Sequence, residues 1–164
     1  MSFITQWAQG NANSGTGLTP FSAGLTLSSF SSLATGSGVV GSSPITNGTN
    51  LDQYSKVAGI LVPAAALISG GFLSLYLLPK NLINNTIYGD ATSSGASPPS
   101  ISYNVGNFQI ANGLVGTTDT VCFDFGVFTI PPEDFLFALW NNLGVAISSM
   151  TGLDTITFNI NLNG

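Results

Sequence analysis

The run from Ile130 to Ser148, IPPEDFLFALWNNLGVAIS, restricts the fold more than any other part of this chain. Pro131 and Pro132 cannot donate to a β-ladder, so a strand arriving from upstream has to end by Ile130. Glu133 and Asp134 keep the next entry solvated, and Phe135 to Trp140 is then a strand-forming run. Asn141-Asn142-Leu143-Gly144 supplies turn residues that tolerate positive φ. Val145 to Ser148 is expected to return as the partner strand, which makes the whole run a hairpin. Its first strand is apolar on both faces, with Phe135, Phe137 and Leu139 on one and Leu136, Ala138 and Trp140 on the other. A strand of that kind has to be covered on both sides, by more sheet or by a partner.

Other segments supply the sheet. Tyr54 to Val62 and Leu67 to Leu78 read as strands joined through Pro63 and a short alanine run. In the second of them Leu73, Leu75 and Leu77 share a face, the pattern of a central strand packed on both sides. Ile101 to Ile110 and Val115 to Ile130 follow, the latter with Val121, Phe123, Phe125 and Val127 on one face and Asp124 and Gly126 on the other. Met150 to Asp154 reads as a turn. The last strand, Thr155 to Asn163, alternates strictly, so Ile156, Phe158, Ile160 and Leu162 are expected inward and Thr157, Asn159, Asn161 and Asn163 outward. Seven or eight strands with regular turn signals predict an all-β fold, an antiparallel two-sheet sandwich of jelly-roll type.

Ahead of this sandwich domain, placed at 51–164, residues 1–50 carry no charge at all. They are rich in Gly, Ser and Thr and are punctuated by Phe3, Ile4, Trp7, Leu18, Phe21, Leu25, Leu27, Phe30 and Leu33. Ordering each residue costs about 1–2 kcal/mol of backbone entropy, which isolated apolar anchors do not offset within the segment. The expectation is an extended N-terminal arm whose anchors dock on neighbouring subunits.

Charge then limits function. Charged residues make up 5% of the chain, against roughly 25% in an ordinary soluble domain. The basic residues are Lys56 and Lys80, and the net charge is −5. Nucleic-acid binding runs on phosphate neutralisation by Lys and Arg, so no nucleic-acid partner is expected. Charges normally guard sheet edges and surfaces against association, and their scarcity predicts a surface that lies against other protein. The uncharged run from Val57 to Pro79 is long enough to cross a bilayer. Pro63, Ser69, Gly70, Gly71 and Ser74 interrupt it, and no membrane partner is expected. The N-terminus lacks a basic n-region, which predicts synthesis in a cytoplasm without secretion. Cys122, the single cysteine, has no internal disulfide partner and sits in a strand-like run, where a small buried hydrophobe is expected.

Catalytic motifs are missing. Without histidine there is no Ser-His-Asp or Cys-His pair and no usual zinc or iron ligand set, so neither an enzyme nor a metal or cofactor is expected. Glycoside hydrolysis needs only two carboxylates. Asp90, Asp119, Asp124, Glu133 and Asp134 are the candidates, each reading as a solvated turn or strand charge. Tyr88 and Asp90, in the long polar loop at 81–100, together with Trp140, offer a sugar-stacking platform as a binding-module alternative.

The order of LSLYLLPKN, IYGDATSSGASPPS, YNVGNF, FGVFTIPPEDFLFALWNNLGVAIS and a closing TITFNINLN resembles a family of small tailed-bacteriophage virion structural proteins. The hairpin motif of that family falls here on Pro131, Pro132, Phe135, Phe137, Leu139 and Gly144. The likeness runs from about Leu67 to the C-terminus and leaves the arm unexplained. It implies a capsid decoration or cement protein, a β-sandwich on the outer surface of the head that staples neighbouring major capsid protein subunits and associates with copies of itself as dimer or trimer. A tail or neck component is the alternative within that class. Basic residues expected around the hairpin and final strand are absent, which argues against docking by charge. No small-molecule substrate is implied.

Overall fold

The computed structural model describes residues 4–9, 32–41, 44–47, 52–81, 83 and 103–163, with the backbone alone for 4–9, 103 and 151–163. Eight strands are formed there: β1 (Ile4–Gln9), β2 (Ser37–Val40), β3 (Tyr54–Pro63), β4 (Phe72–Pro79), β5 (Tyr103–Gln109), β6 (Val121–Thr129), β7 (Phe135–Asn142) and β8 (Ile147–Asn163). They make two antiparallel four-stranded sheets, β1-β8-β3-β6 and β2-β7-β4-β5. This is the predicted antiparallel sandwich, and its strand order is that of a jelly roll. Only β4 and β5 are consecutive strands of the same sheet; every other connection passes from one sheet to the other.

That rule overturns the expected hairpin. β7 pairs with β2 and β4, whereas β8 pairs with β1 and β3, so Ile130 to Ser148 is an arch between sheets. The local reading correctly places Pro131 and Pro132 between two strands, Phe135 at the start of the next, and Gly144, at φ 78°, in the bend. It misses the partner because Asn141 directs the chain across the core. The buried Asn141 amide donates to the carbonyls of Leu33 and Val145, each at 2.9 Å, and its Oδ1 accepts from the Leu143 N–H at 3.0 Å. Three fixed bonds to a bend and to a distant segment hold an arch that a two-residue hairpin turn does not need.

The core lies between the sheets. Phe135, Phe137 and Leu139 of β7 and Leu73, Leu75 and Leu77 of β4 meet Val57 and Leu61 of β3 and Val121 and Phe123 of β6, all buried. Phe137 stacks edge-on against both Phe135 and Phe128, at 5.2 and 5.8 Å between ring centroids. Edge-to-face pairs add about 0.5–1.5 kcal/mol each beyond their area. The opposite face of the second sheet holds its own buried cluster, Leu78, Leu136, Ala138 and Trp140. β7 is therefore covered on both faces, as its double apolar pattern requires.

Part of the stretch expected as an arm, residues 1–50, is paired with later strands. β1 and β2 are strands of the two sheets, paired with β8 and β7 of the same chain. Leu33, expected as an arm anchor, bridges to Ile147 and packs against the core. Of the other anchors, Ile4 and Trp7 lie in β1, and Phe3, Leu18, Phe21, Leu25, Leu27 and Phe30 fall outside the described residues. The uncharged composition hides these strands because short edge strands need few apolar residues, and Gly38 in β2 breaks the alternation.

β8 departs from expectation in length and in facing. The turn expected at Met150–Asp154 is part of one strand running from Ile147 to Asn163, with register shifts against β3 between Ile60 and Leu61 and between Val62 and Pro63. Val57 and Ser55, buried toward the core, stand opposite Thr155 and Thr157, while Lys56 and Tyr54 stand opposite Ile156 and Phe158. Directly paired residues share a face. Ile156, Phe158, Ile160 and Leu162 therefore lie on the outer face of the sheet, the reverse of the expected facing. Each bulge inserts a residue and inverts the alternation beyond it, so the two together restore it, and Thr155 and Thr157 stand on the same side as buried Ile147.

β6 repeats the lesson at smaller scale. Val121 and Phe123 point inward, but a shift between Lys56 and Ala58 leaves Val127 49% exposed and Phe128 against the core. Cys122 is exposed rather than buried, because Val121 and Phe123 already occupy the inward positions on either side of it. Among the described residues no helix is long and apolar enough to cross a membrane. The apolar run from Val57 to Pro79 is consumed by β3, β4 and the passage between sheets.

Candidate interaction surface

The two outer faces of the sandwich differ. On the β2-β7-β4-β5 sheet, Trp140 is 1% exposed and its ring lies flat over Gly38, with Tyr76 edge-on at 6.2 Å. A ring packed in this way presents no stacking face to a sugar, so Trp140 does not serve the platform expected for it. Its indole N–H is a buried donor with no hydrogen-bond partner among the described residues. Tyr88 and Asp90, and the 81–100 loop apart from Asn81 and Ile83, lie outside the described residues.

The β1-β8-β3-β6 sheet is different. Its outward positions on β3 are Tyr54, Lys56, Ala58, Ile60 and Val62, all half-buried. Across β6 they meet Val127, Asp124 and Cys122, and across β8 they meet Phe158, Ile156 and Asp154. Beyond β8, register places Trp7 of β1 opposite Ile160 and Thr5 opposite Leu162. An apolar band, broken by Lys56 and Asp124, thus runs along β3 from Tyr54 to Val62 with Val127 and Cys122 beside it. Sequence reading missed it because the residues come from separated strands, although the alternation in YSKVAGILVP already divides β3 into two faces.

Charge on this face comes from Lys56, Asp124 and, by register, Asp154. Lys56 Nζ lies 2.7 Å from Asp124 Oδ2, with both side chains more than 40% exposed, and Asp124 Oδ1 accepts from the Gly126 N–H at 2.7 Å. Burial acts to raise the Asp124 carboxyl, but the Lys56 ammonium and the Gly126 N–H outweigh it and hold the group below its ordinary value. With the folded value depressed, this contribution is present above the unfolded carboxylate pKa of about 4 and is lost as pH falls through the lower folded value. Solvent screening keeps it small. Asp124→Asn is expected to melt slightly below the parent at neutral pH, with the gap closing in acid. Thermal scans across that range check this, and a gap independent of pH would contradict it.

Two of the other expected carboxylates, Asp134 and Asp119, serve structure or solvent. Asp134 accepts from Lys80 Nζ at 3.1 Å and from the Asn47 N–H at 3.0 Å. Asn47 in turn donates to the carbonyls of Asp52 and Pro131 and accepts from the Asp52 N–H. This network pins the Pro131-Pro132 corner to the segment entering β3, a role for the paired prolines that is positional and not chemical. Asp119 is exposed in a turn, its N–H donating to Thr117 Oγ1. A hollow of about 450 Å³ beside that corner, lined by Leu77, Asn104, Phe128, Ile130, Pro131 and Glu133, brings one carboxylate to its wall. Two-carboxylate hydrolysis needs a facing pair, and none of the other lining residues is acidic. Among the described residues no three acidic or cysteine side chains gather at a metal-binding distance.

No protein-family model matches this chain, and no curated protein or solved structure does either.

Proposed function

We propose that this chain is a non-enzymatic virion structural protein, a capsid decoration or cement protein that seats on the outer face of a phage head and bridges neighbouring major capsid subunits. The observation that carries the reading is the largely apolar outer face of β3 and β6, on a chain with 5% charged residues. Jelly-roll order alone is an argument by analogy, since viral capsid domains, lectins and cupins all use it. The surface is what favours adhesion. Apolar area gains about 25 cal/mol per Å² when covered, less the cost of ordering and docking. Small contacts repeated over many copies on a symmetric shell add up, and with a net charge of −5 the chain has little attraction for packaged nucleic acid, which favours the outside of the head.

Quantitative mass spectrometry of purified particles tests this. A decoration protein is present at a copy number comparable with the major capsid protein and is removable without loss of the shell. Recovery at a few copies per particle would assign the chain to the tail or neck instead, and absence from the particle would end the reading.

A further inference from the structure

We propose that the hollow beside the Pro131-Pro132 corner is a binding site for a cation on an apolar stem, the side chain of a lysine or arginine presented by a partner protein. Both sheets line it. Leu77 of β4 and Asn104 of β5 come from one, Phe128 at the end of β6 from the other, and Ile130 and Glu133 from the corner itself. Its volume of about 450 Å³ falls in the range of roughly 300–1,000 Å³ usual for small-molecule sites.

The walls divide by chemistry. Leu77 and Ile130 are buried and Phe128 packs against the core, so the floor is apolar. Asn104 and Thr129 bring an amide oxygen and a hydroxyl, both able to accept from an ammonium or guanidinium N–H. Glu133, half-buried, supplies the carboxylate. Its backbone is fixed on both sides, because the Pro131 carbonyl accepts from Asn47 Nδ2 at 2.6 Å and Asp134 is held by Lys80 Nζ and the Asn47 N–H. A group held in place before its ligand arrives loses little ordering entropy on binding.

Charge then selects the ligand. The chain has two basic side chains, Lys56 and Lys80, and both are engaged, on Asp124 at 2.7 Å and on Asp134 at 3.1 Å. Among the described residues Glu133 has no cation within salt-bridge reach, so its complement comes from outside. A divalent metal ion does not fit. Calcium takes about 6–8 oxygen ligands and magnesium a full octahedron, whereas much of this wall is hydrocarbon. An uncharged apolar ligand would desolvate Glu133 without pairing it. A lysine or arginine side chain satisfies both halves, its methylenes on Leu77, Phe128 and Ile130 and its head on Glu133. A protein is the favoured source because a surface with 5% charged residues is of the kind that lies against other protein. The site does not depend on the capsid reading.

Titration of the full-length chain, labelled at its Leu, Ile and Val methyls, with capped lysine amide and observation by NMR is the test. Shifts are expected at Leu77, Val105 and Ile130, which line the hollow. Capped norleucine amide, which keeps the stem without the ammonium, is expected to bind at least about tenfold more weakly, and Glu133→Gln to weaken capped lysine by a similar factor. Asp119→Asn makes the same change of net charge in an exposed turn and leaves binding unchanged. The methyl spectrum of Glu133→Gln without ligand reports whether the variant keeps its fold. Cadaverine separates a protein side chain from a free amine. Binding no tighter than that of capped lysine supports the protein source, and binding at least about tenfold tighter would overturn it. Silence at the lining methyls, norleucine binding as well as lysine, indifference to Glu133→Gln, or equal loss on Asp119→Asn would each overturn the site, whatever the fate of the particle experiment.

Discussion

Asn141→Leu is expected to destabilise this protein by about 3–5 kcal/mol. The side chain is fully buried and makes three hydrogen bonds, to the Leu33 and Val145 carbonyls and from the Leu143 N–H. Leucine matches it in size and removes all three. Each bond contributes about 1 kcal/mol net, and each backbone group left without a partner in the core costs a further 1–3 kcal/mol if it cannot relax toward water. Domains of this size are stable by only about 5–15 kcal/mol, so the loss is a large fraction of the total. Asn141→Asp is expected to be no better, because a carboxylate accepts from Leu143 but cannot donate to either carbonyl. Urea unfolding followed by fluorescence and circular dichroism gives the number. A loss below about 1 kcal/mol would mean that the arch between β7 and β8 is held by its apolar residues rather than by this amide.

Gly38→Ala carries the second large effect, expected at about 3 kcal/mol or more, by the overpacking mechanism that commonly costs 1–3 kcal/mol and exceeds it where nothing can yield. A Cβ built on Gly38 falls inside the ring of Trp140, which lies directly across the ladder. The ring has nowhere to go, since Tyr76 meets it edge-on and Leu136 and Ala138 share its buried cluster. Substitutions at the two positions are therefore expected to be strongly non-additive. Trp140→Ala alone opens a cavity worth about 3–5 kcal/mol, yet Gly38→Ala added to it should cost little, giving a coupling energy of at least about 1 kcal/mol in the double-mutant cycle. Additive losses would show that the ring does not occupy the space over Gly38.

Both sites bear on what could be read from the residues in order. The two faces of Phe135 to Trp140 were legible because alternation in a strand is a local property, and both faces are buried as that pattern requires. Leu73, Leu75 and Leu77 were legible for the same reason. The partner of β7 was not, because Asn141, Asn142 and Gly144 suit a hairpin turn and an inter-sheet arch equally, and the choice rests on Leu33, more than a hundred positions away. The interaction surface was least legible of all. Its residues were sorted correctly within β8, then assigned to the core, because apolar residues on one face of a last strand ordinarily face inward, whereas here the pairing with β3 puts Thr155 and Thr157 opposite the core residues Val57 and Ser55.

From its sequence alone this chain was determined to be a sandwich of short antiparallel strands with few charges, since periodicity, prolines and composition act over a few residues at a time. Which sheet each strand joins, which side of β8 looks outward, and that β1 and β2 belong to the body of the fold were decided only in three dimensions. Hydrogen-bond partners and the direction of the core are set by contacts between segments far apart along the chain.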